Sequence, residues 1–126
     1  MGDARKIVLV EDETLNVVYM KLQLRYMGYE LAAALATGEE AIEYAERERP
    51  ALILIDINLR GDMNGLEAVR RIKEKADIPV VFLTGYPDAS TRGQADALSP
   101  LAVLVKPVDL RELKRIIDSV MGGGSG

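Results

Sequence analysis

Leu52-Ile53-Leu54-Ile55-Asp56 decides the fold of this chain: four large apolar residues in a row stop at a carboxylate. A strand that is apolar at every position, rather than at alternate ones, is buried on both faces, as in a parallel sheet covered by helices. Three more runs share the form. Ile7-Val8-Leu9-Val10 leads into Glu11-Asp12, Val80-Val81-Phe82-Leu83 into Thr84, and Val103-Leu104-Val105 into Lys106. A weaker strand-like run begins near Tyr29. Open parallel sheets gather ligand chemistry beyond the carboxyl ends of their strands, so Glu11, Asp12, Asp56, Thr84 and Lys106 are expected to meet in one acidic pocket.

Between the strands lie amphipathic helical patterns, which makes the class α/β. The first helix is expected to turn Leu15, Val18 and Leu22 inward, the third Leu66, Val69 and Ile72, and the last Leu110, Leu113, Ile117 and Val120. Thr37-x-x-Glu40, Asn64-x-x-Glu67 and Asp109-x-x-Glu112 have capping-box form, so these polar residues read as helix starts rather than chemistry. The stretch from Asp88 to Ser99 contains Gly93 and few large apolar residues, which predicts a short or mobile fourth helix.

The 126 residues suit one domain, expected over residues 1–121. Residues 122–126 read GGGSG, the composition of a flexible tail that is either a linker or a cloning scar. The sequence has no cysteine and no histidine, which removes disulfides, thiolate chemistry, Ser-His-Asp chemistry and imidazole-held zinc. Any metal must be held by oxygen, which favours a hard cation such as Mg2+. A net charge of −4 without a basic stripe argues against a nucleic-acid partner. No apolar run approaches a membrane span, and Lys6 stands where myristoylation needs a hydroxyl residue. The expectation is a soluble cytoplasmic domain without a membrane partner.

Each pocket residue also has an ordinary reading. Asp12 suits the cap of the first helix, with Glu13 favouring its dipole. Asp56 suits a turn, since Asn58, Gly61, Asp62, Asn64 and Gly65 follow it. Lys106 suits solvent, and a threonine ending a strand is common. Together they say more. Three gathered carboxylates repel one another unless a cation neutralises them, and Mg2+ takes one or two carboxylates plus phosphate oxygens. A lysine there is a fixed point charge for a phosphoryl oxygen, and Gly85 leaves room beside the Thr84 hydroxyl.

The set Glu11-Asp12, Asp56, Thr84 and Lys106-Pro107 resembles the receiver domain of two-component response regulators over about residues 5 to 121. Asp56-Ile57-Asn58-Leu59-Arg60-Gly61-Asp62-Met63-Asn64-Gly65 is similar to the stretch after the family's phosphoacceptor, with a slightly longer loop. Leu83-Thr84-Gly85-Tyr86 resembles its fourth-strand motif. The resemblance implies a flavodoxin-like, doubly wound (βα)5 fold with a five-stranded parallel sheet in the order 2-1-3-4-5. It implies that Asp56 accepts a phosphoryl group from a histidine kinase or phosphotransfer protein. Mg2+, or Mn2+ in its place, is implied on Glu11, Asp12, Asp56 and the Asn58 backbone carbonyl, with Thr84 and Lys106 on the phosphoryl oxygens. Asn58 and Tyr86 stand at positions that tune hydrolysis of the acyl phosphate, and the Lys106-Pro107 peptide is expected to be cis.

By the same resemblance the domain is not an enzyme, although self-phosphorylation from small donors and self-dephosphorylation are expected. Its implied partners are the kinase or phosphotransfer protein, a downstream effector or linked output domain, and a second copy after phosphorylation. The family usually has an aromatic residue three positions before the lysine; Val103 stands there. Output is therefore assigned to Tyr86 or a rearranging fourth helix. Two charges about 4 Å apart near a surface interact by roughly 4 kcal/mol. Inverting a 1:99 equilibrium takes about 5.5 kcal/mol, within reach of a phosphoryl group held by Lys106 and Thr84 together. Two alternatives stay open. One is a pseudo-receiver that binds or dimerises without phosphorylation. The other is an aspartate-nucleophile phosphatase, disfavoured because Asn58 stands where a general-acid aspartate is needed.

Overall fold

Ile7–Val10 (β1), Leu31–Leu35 (β2), Leu52–Asp56 (β3), Val80–Thr84 (β4) and Ala102–Val105 (β5) form one parallel sheet in the order β2-β1-β3-β4-β5. This is the architecture of a computed structural model describing residues 5–122. The expected tail therefore lies outside the described residues, apart from Gly122. Each strand is followed by a helix: Thr14–Tyr26 (α1), Gly38–Glu48 (α2), Gly65–Lys73 (α3), Ala89–Asp96 (α4) and Leu110–Met121 (α5). The doubly wound α/β expectation and its strand order are met. Among the described residues no helix is long and apolar enough to cross a membrane.

Successive strand side chains point to opposite faces, and this alternation divides the core into two layers. Val8, Val10, Ile53, Ile55, Val80 and Phe82 point one way, against Ala41 and Ala45 of α2 and Leu66, Val69 and Ile72 of α3. Ile7, Leu9, Leu52, Leu54, Val81 and Leu83 point the other way, against Met20 and Leu24 of α1 and Leu113, Ile117 and Met121 of α5. The central strands β1, β3 and β4 are buried on both faces, which is why they carry unbroken apolar runs. The edge strand β2 alternates instead, and β5 leaves Val105 exposed.

Helix starts follow the sequence closely. Thr37 forms a full capping box with Glu40, and the side chains of Asn64, Asp88 and Asp109 accept backbone N–H groups of α3, α4 and α5. The fourth helix is short, at 8 residues, and only Ala95 in it is buried.

The first helix corrects one expectation and removes one alternative. Leu15, Val18 and Leu22 do not face the core: they are 83%, 47% and 57% exposed, beside exposed Tyr19 and Tyr26. Met20 and Leu24 face inward, flanked by the partly buried Val17 and Met27. Helix α1 carries two apolar stripes, and Val17-Met20-Leu24 has the same 3-4 spacing as the outward Leu15-Val18-Leu22. Asp12 is not its cap. Its carboxylate is turned toward the loop after β3, and the cap position is Glu13, which makes no side-chain capping bond.

Candidate functional site

Two strands, β1 and β3, run out at one rim of the sheet and deliver the acidic residues there. Glu11 follows β1 and is fixed by its N–H donating to the Leu35 carbonyl at 2.8 Å. Its side chain is buried; Oε2 accepts the Glu13 N–H at 3.1 Å and Oε1 the Lys106 ammonium at 3.1 Å. Asp56 closes β3, also buried. Its Oδ1 accepts the Asn58 N–H at 2.9 Å, and Oδ2 accepts Lys106 Nζ at 3.1 Å. Lys106 thus bridges two carboxylates that would otherwise repel each other. Burial by itself would push the lysine down. The hydrogen bonds and charges of Asp56 and Glu11 outweigh it and hold the ammonium above its ordinary pKa.

Asp12, partly buried, completes the acidic group. One oxygen each from Glu11, Asp12 and Asp56 lies within 4.8 Å of the others. A cation with oxygen ligands at about 2.0–2.1 Å places those ligands roughly 3 Å apart when adjacent and 4 Å when opposite. The three carboxylates fit such an ion with little movement, and their all-oxygen chemistry suits Mg2+ or Mn2+.

Thr84 ends β4 at the same rim. Its hydroxyl donates to Asn58 Oδ1 at 3.2 Å and accepts the Tyr86 N–H at 3.0 Å, while its carbonyl accepts the Lys106 N–H at 2.8 Å. A Cβ built on Gly85 meets nothing within 4 Å beyond its two chain neighbours, so the cleft is open at this position. A cleft of about 430 Å³ joins Asp12, Asp56, Asn58, Gly85, Tyr86 and Lys106. Val103 sits one strand away, packed against the layer that contains Phe82 and Ala95. The Lys106-Pro107 peptide is cis. Every residue singled out at the strand ends is therefore at this cleft or directly behind it.

Two participants escaped the sequence reading. Arg60, in the loop between β3 and α3, donates its N–H at 2.9 Å and its Nε at 3.1 Å to Asp12 Oδ2. Burial works against ionisation of Asp12, but these bonds and the guanidinium charge outweigh it and hold its carboxyl below the usual value. No motif announces the pair, because its members lie 48 positions apart. The other is Gly65, whose N–H donates to the Ile57 carbonyl at 2.9 Å. A Cβ there would stand 2.2 Å from the Asp56 carbonyl oxygen. The sequence marks it as the end of a turn-rich stretch and the start of a capped helix, and neither signal carries the close approach to Asp56.

The family model of the response regulator receiver domain matches residues 7–118. Phyllosphere-induced regulator PhyR of Methylorubrum extorquens is 29% identical over 94% of the chain and 44% of its own length. Transcriptional regulatory protein PdtaR of Mycobacterium tuberculosis is 33% identical over 86% of the chain and 53% of its own length. The chain thus spans about half the length of these curated relatives. Among solved structures, the receiver domain of sensor histidine kinase PA1611 from Pseudomonas aeruginosa, described with magnesium in its active-site cleft, is 30% identical with a TM-score of 0.82. That match covers 95% of this chain and 99% of the other. Fold and family match agree: the chain belongs to the response regulator receiver domains, the signal receivers of two-component systems.

Proposed function

We propose that Asp56 is the phosphoacceptor of this receiver and that its phosphorylation switches protein contacts. The observation that carries the reading is the convergence of Glu11, Asp12, Asp56 and Lys106 on one cleft at the strand ends. A carboxylate oxygen of Asp56 attacks the phosphorus of a phosphohistidine on a kinase or phosphotransfer protein. A P–O bond forms, the P–N bond breaks, and the imidazole leaves with the bonding pair. Phosphoryl transfer asks the protein mainly for alignment and charge neutralisation. Glu11, Asp12, Asp56 and the Asn58 carbonyl would hold Mg2+, or Mn2+, which when bound neutralises phosphoryl oxygens. Support for the metal comes from the spacing of the carboxylates and from the magnesium named for the PA1611 receiver.

Lys106 and Thr84 then take phosphoryl oxygens. Lys106 is already 3.1 Å from Asp56 Oδ2, and the Thr84 hydroxyl exchanges Asn58 for the new ligand. Thr84 also accepts the Tyr86 N–H, so its movement pulls on the segment that leads into α4. With Val103 lacking an aromatic ring, the output passes through Tyr86 and the thinly anchored α4 to an effector, a linked output domain or a second copy. An output unchanged in Tyr86→Ala and absent from α4 would remove this route.

The deciding experiment is intact mass after incubation with acetyl phosphate and Mg2+, beside Asp56→Asn. Gain of one phosphoryl group that needs both Mg2+ and Asp56 supports the reading. Gain that persists in Asp56→Asn means another acceptor, and no gain favours the pseudo-receiver.

A further inference from the structure

We propose that Arg60 is a built-in competitor for the cation site: it holds Asp12 in the cation-free protein and releases it when a divalent cation binds. The inference rests on the metal reading above and concerns a residue which that reading leaves unused.

Asp12 Oδ2 already accepts two hydrogen bonds from Arg60, one from its backbone N–H at 2.9 Å and one from Nε at 3.1 Å. Three carboxylates in the cluster face two side-chain cations, Lys106 and Arg60, and the two are held differently. Lys106 is 27% exposed and grips the pair of buried acids, whereas the Arg60 side chain is 75% exposed and touches Asp12 from the rim. An ion pair that open to water shifts an equilibrium by only a few-fold, so it yields to a divalent ion on the same carboxylate. Charge pushes the same way, since a guanidinium and a divalent cation on one carboxylate repel each other. Glu13 lines the same cleft and offers the released guanidinium a second carboxylate. Because Arg60 is four residues beyond Asp56, its release also frees the rim of the loop that follows the acceptor.

The test uses wild type, Arg60→Met and Lys75→Met, the last removing an exposed charge beyond the far end of α3. Mg2+ affinity is measured by titration calorimetry at fixed ionic strength, and the Arg60 Nε–H resonance is followed by NMR in wild type. Arg60→Met is expected to bind Mg2+ about two- to five-fold more tightly, the range set by an exposed ion pair. Lys75→Met should match wild type, and the Nε–H signal should move to the position of solvated arginines as Mg2+ saturates. Equal or weaker binding by Arg60→Met, an unmoved Nε–H signal, or equal tightening in Lys75→Met overturns the inference. Wild-type binding in those cases leaves the metal reading standing. No Mg2+ binding by any of the three proteins defeats that reading and the inference together.

Discussion

Replacing Gly65 by alanine tests how tightly the start of α3 is built onto Asp56. Helix propensity alone favours alanine over glycine by up to about 1 kcal/mol. The structure argues the reverse. The new Cβ would lie 2.2 Å from the Asp56 carbonyl oxygen, and 3.0 Å from both its carbonyl carbon and the Ile57 Cα. All three are backbone atoms, so no rotamer change relieves the clash, and β3 and α3 must separate. Overpacking of this kind costs typically 1–3 kcal/mol, and backbone on both sides puts this site at about 3 kcal/mol. For a domain of this length, each kcal/mol lowers the melting temperature by roughly 3–5 °C, so a fall of about 10 °C is expected. Gly93→Ala is the matched control. Its Cβ meets nothing within 4 Å in the exposed part of α4, and it should raise the melting temperature by a few degrees, about 0.5–1 kcal/mol. Thermal unfolding by circular dichroism reads both, and the rate of phosphorylation by acetyl phosphate well below each transition reads the proposed acceptor role of Asp56. Gly65→Ala melting within about 2 °C of wild type would refute the packing argument. A destabilised Gly65→Ala that still phosphorylates at the wild-type rate would show that the contact does not position Asp56.

Lys106→Met should lower stability in magnesium-free buffer by about 2 kcal/mol, because Glu11 and Asp56 lose their shared cation, and added Mg2+ should recover much of it. A melting temperature indifferent to Mg2+ in that variant would contradict the charge account. Thr37→Ala removes the capping box of α2 and should cost about 1 kcal/mol while leaving phosphorylation unchanged. The Tyr29 hydroxyl donates to Asp118, which also pairs with Lys114, and this ties the entry of β2 to α5. Lys114 and then Tyr29 hold the Asp118 carboxyl below its usual value. The stability it contributes is therefore full above the unfolded pKa of about 3.9 and is lost as pH falls through the folded value. The hydrogen bond to Asp118 raises Tyr29, so its contribution is full below about pH 10 and is lost as pH rises through the folded value. Asp118→Asn should flatten the acid limb of melting temperature against pH, and a limb as steep as wild type would exclude this link.

Features that depend on local pattern were legible in the residues alone. Unbroken apolar runs at β1, β3 and β4 require burial on both faces, and that requires helices on both faces of a parallel sheet. Capping residues marked helix starts because they satisfy backbone donors a few positions away. Strand ends marked the cleft because parallel strands bring their carboxyl ends to one rim. Tertiary structure decided what depends on partners distant in sequence. Helix α1 has two apolar stripes of equal spacing, and only the sheet beneath it selects Met20 and Leu24 over Leu15, Val18 and Leu22. Periodicity fixes the angle between residues on a helix but not which side meets the core. Likewise, Asp12 reads equally well as a cap or a ligand until the chain folds. Then the β3–α3 loop brings Arg60 to its carboxylate, because an ion pair is set by distance in space and not by distance along the chain.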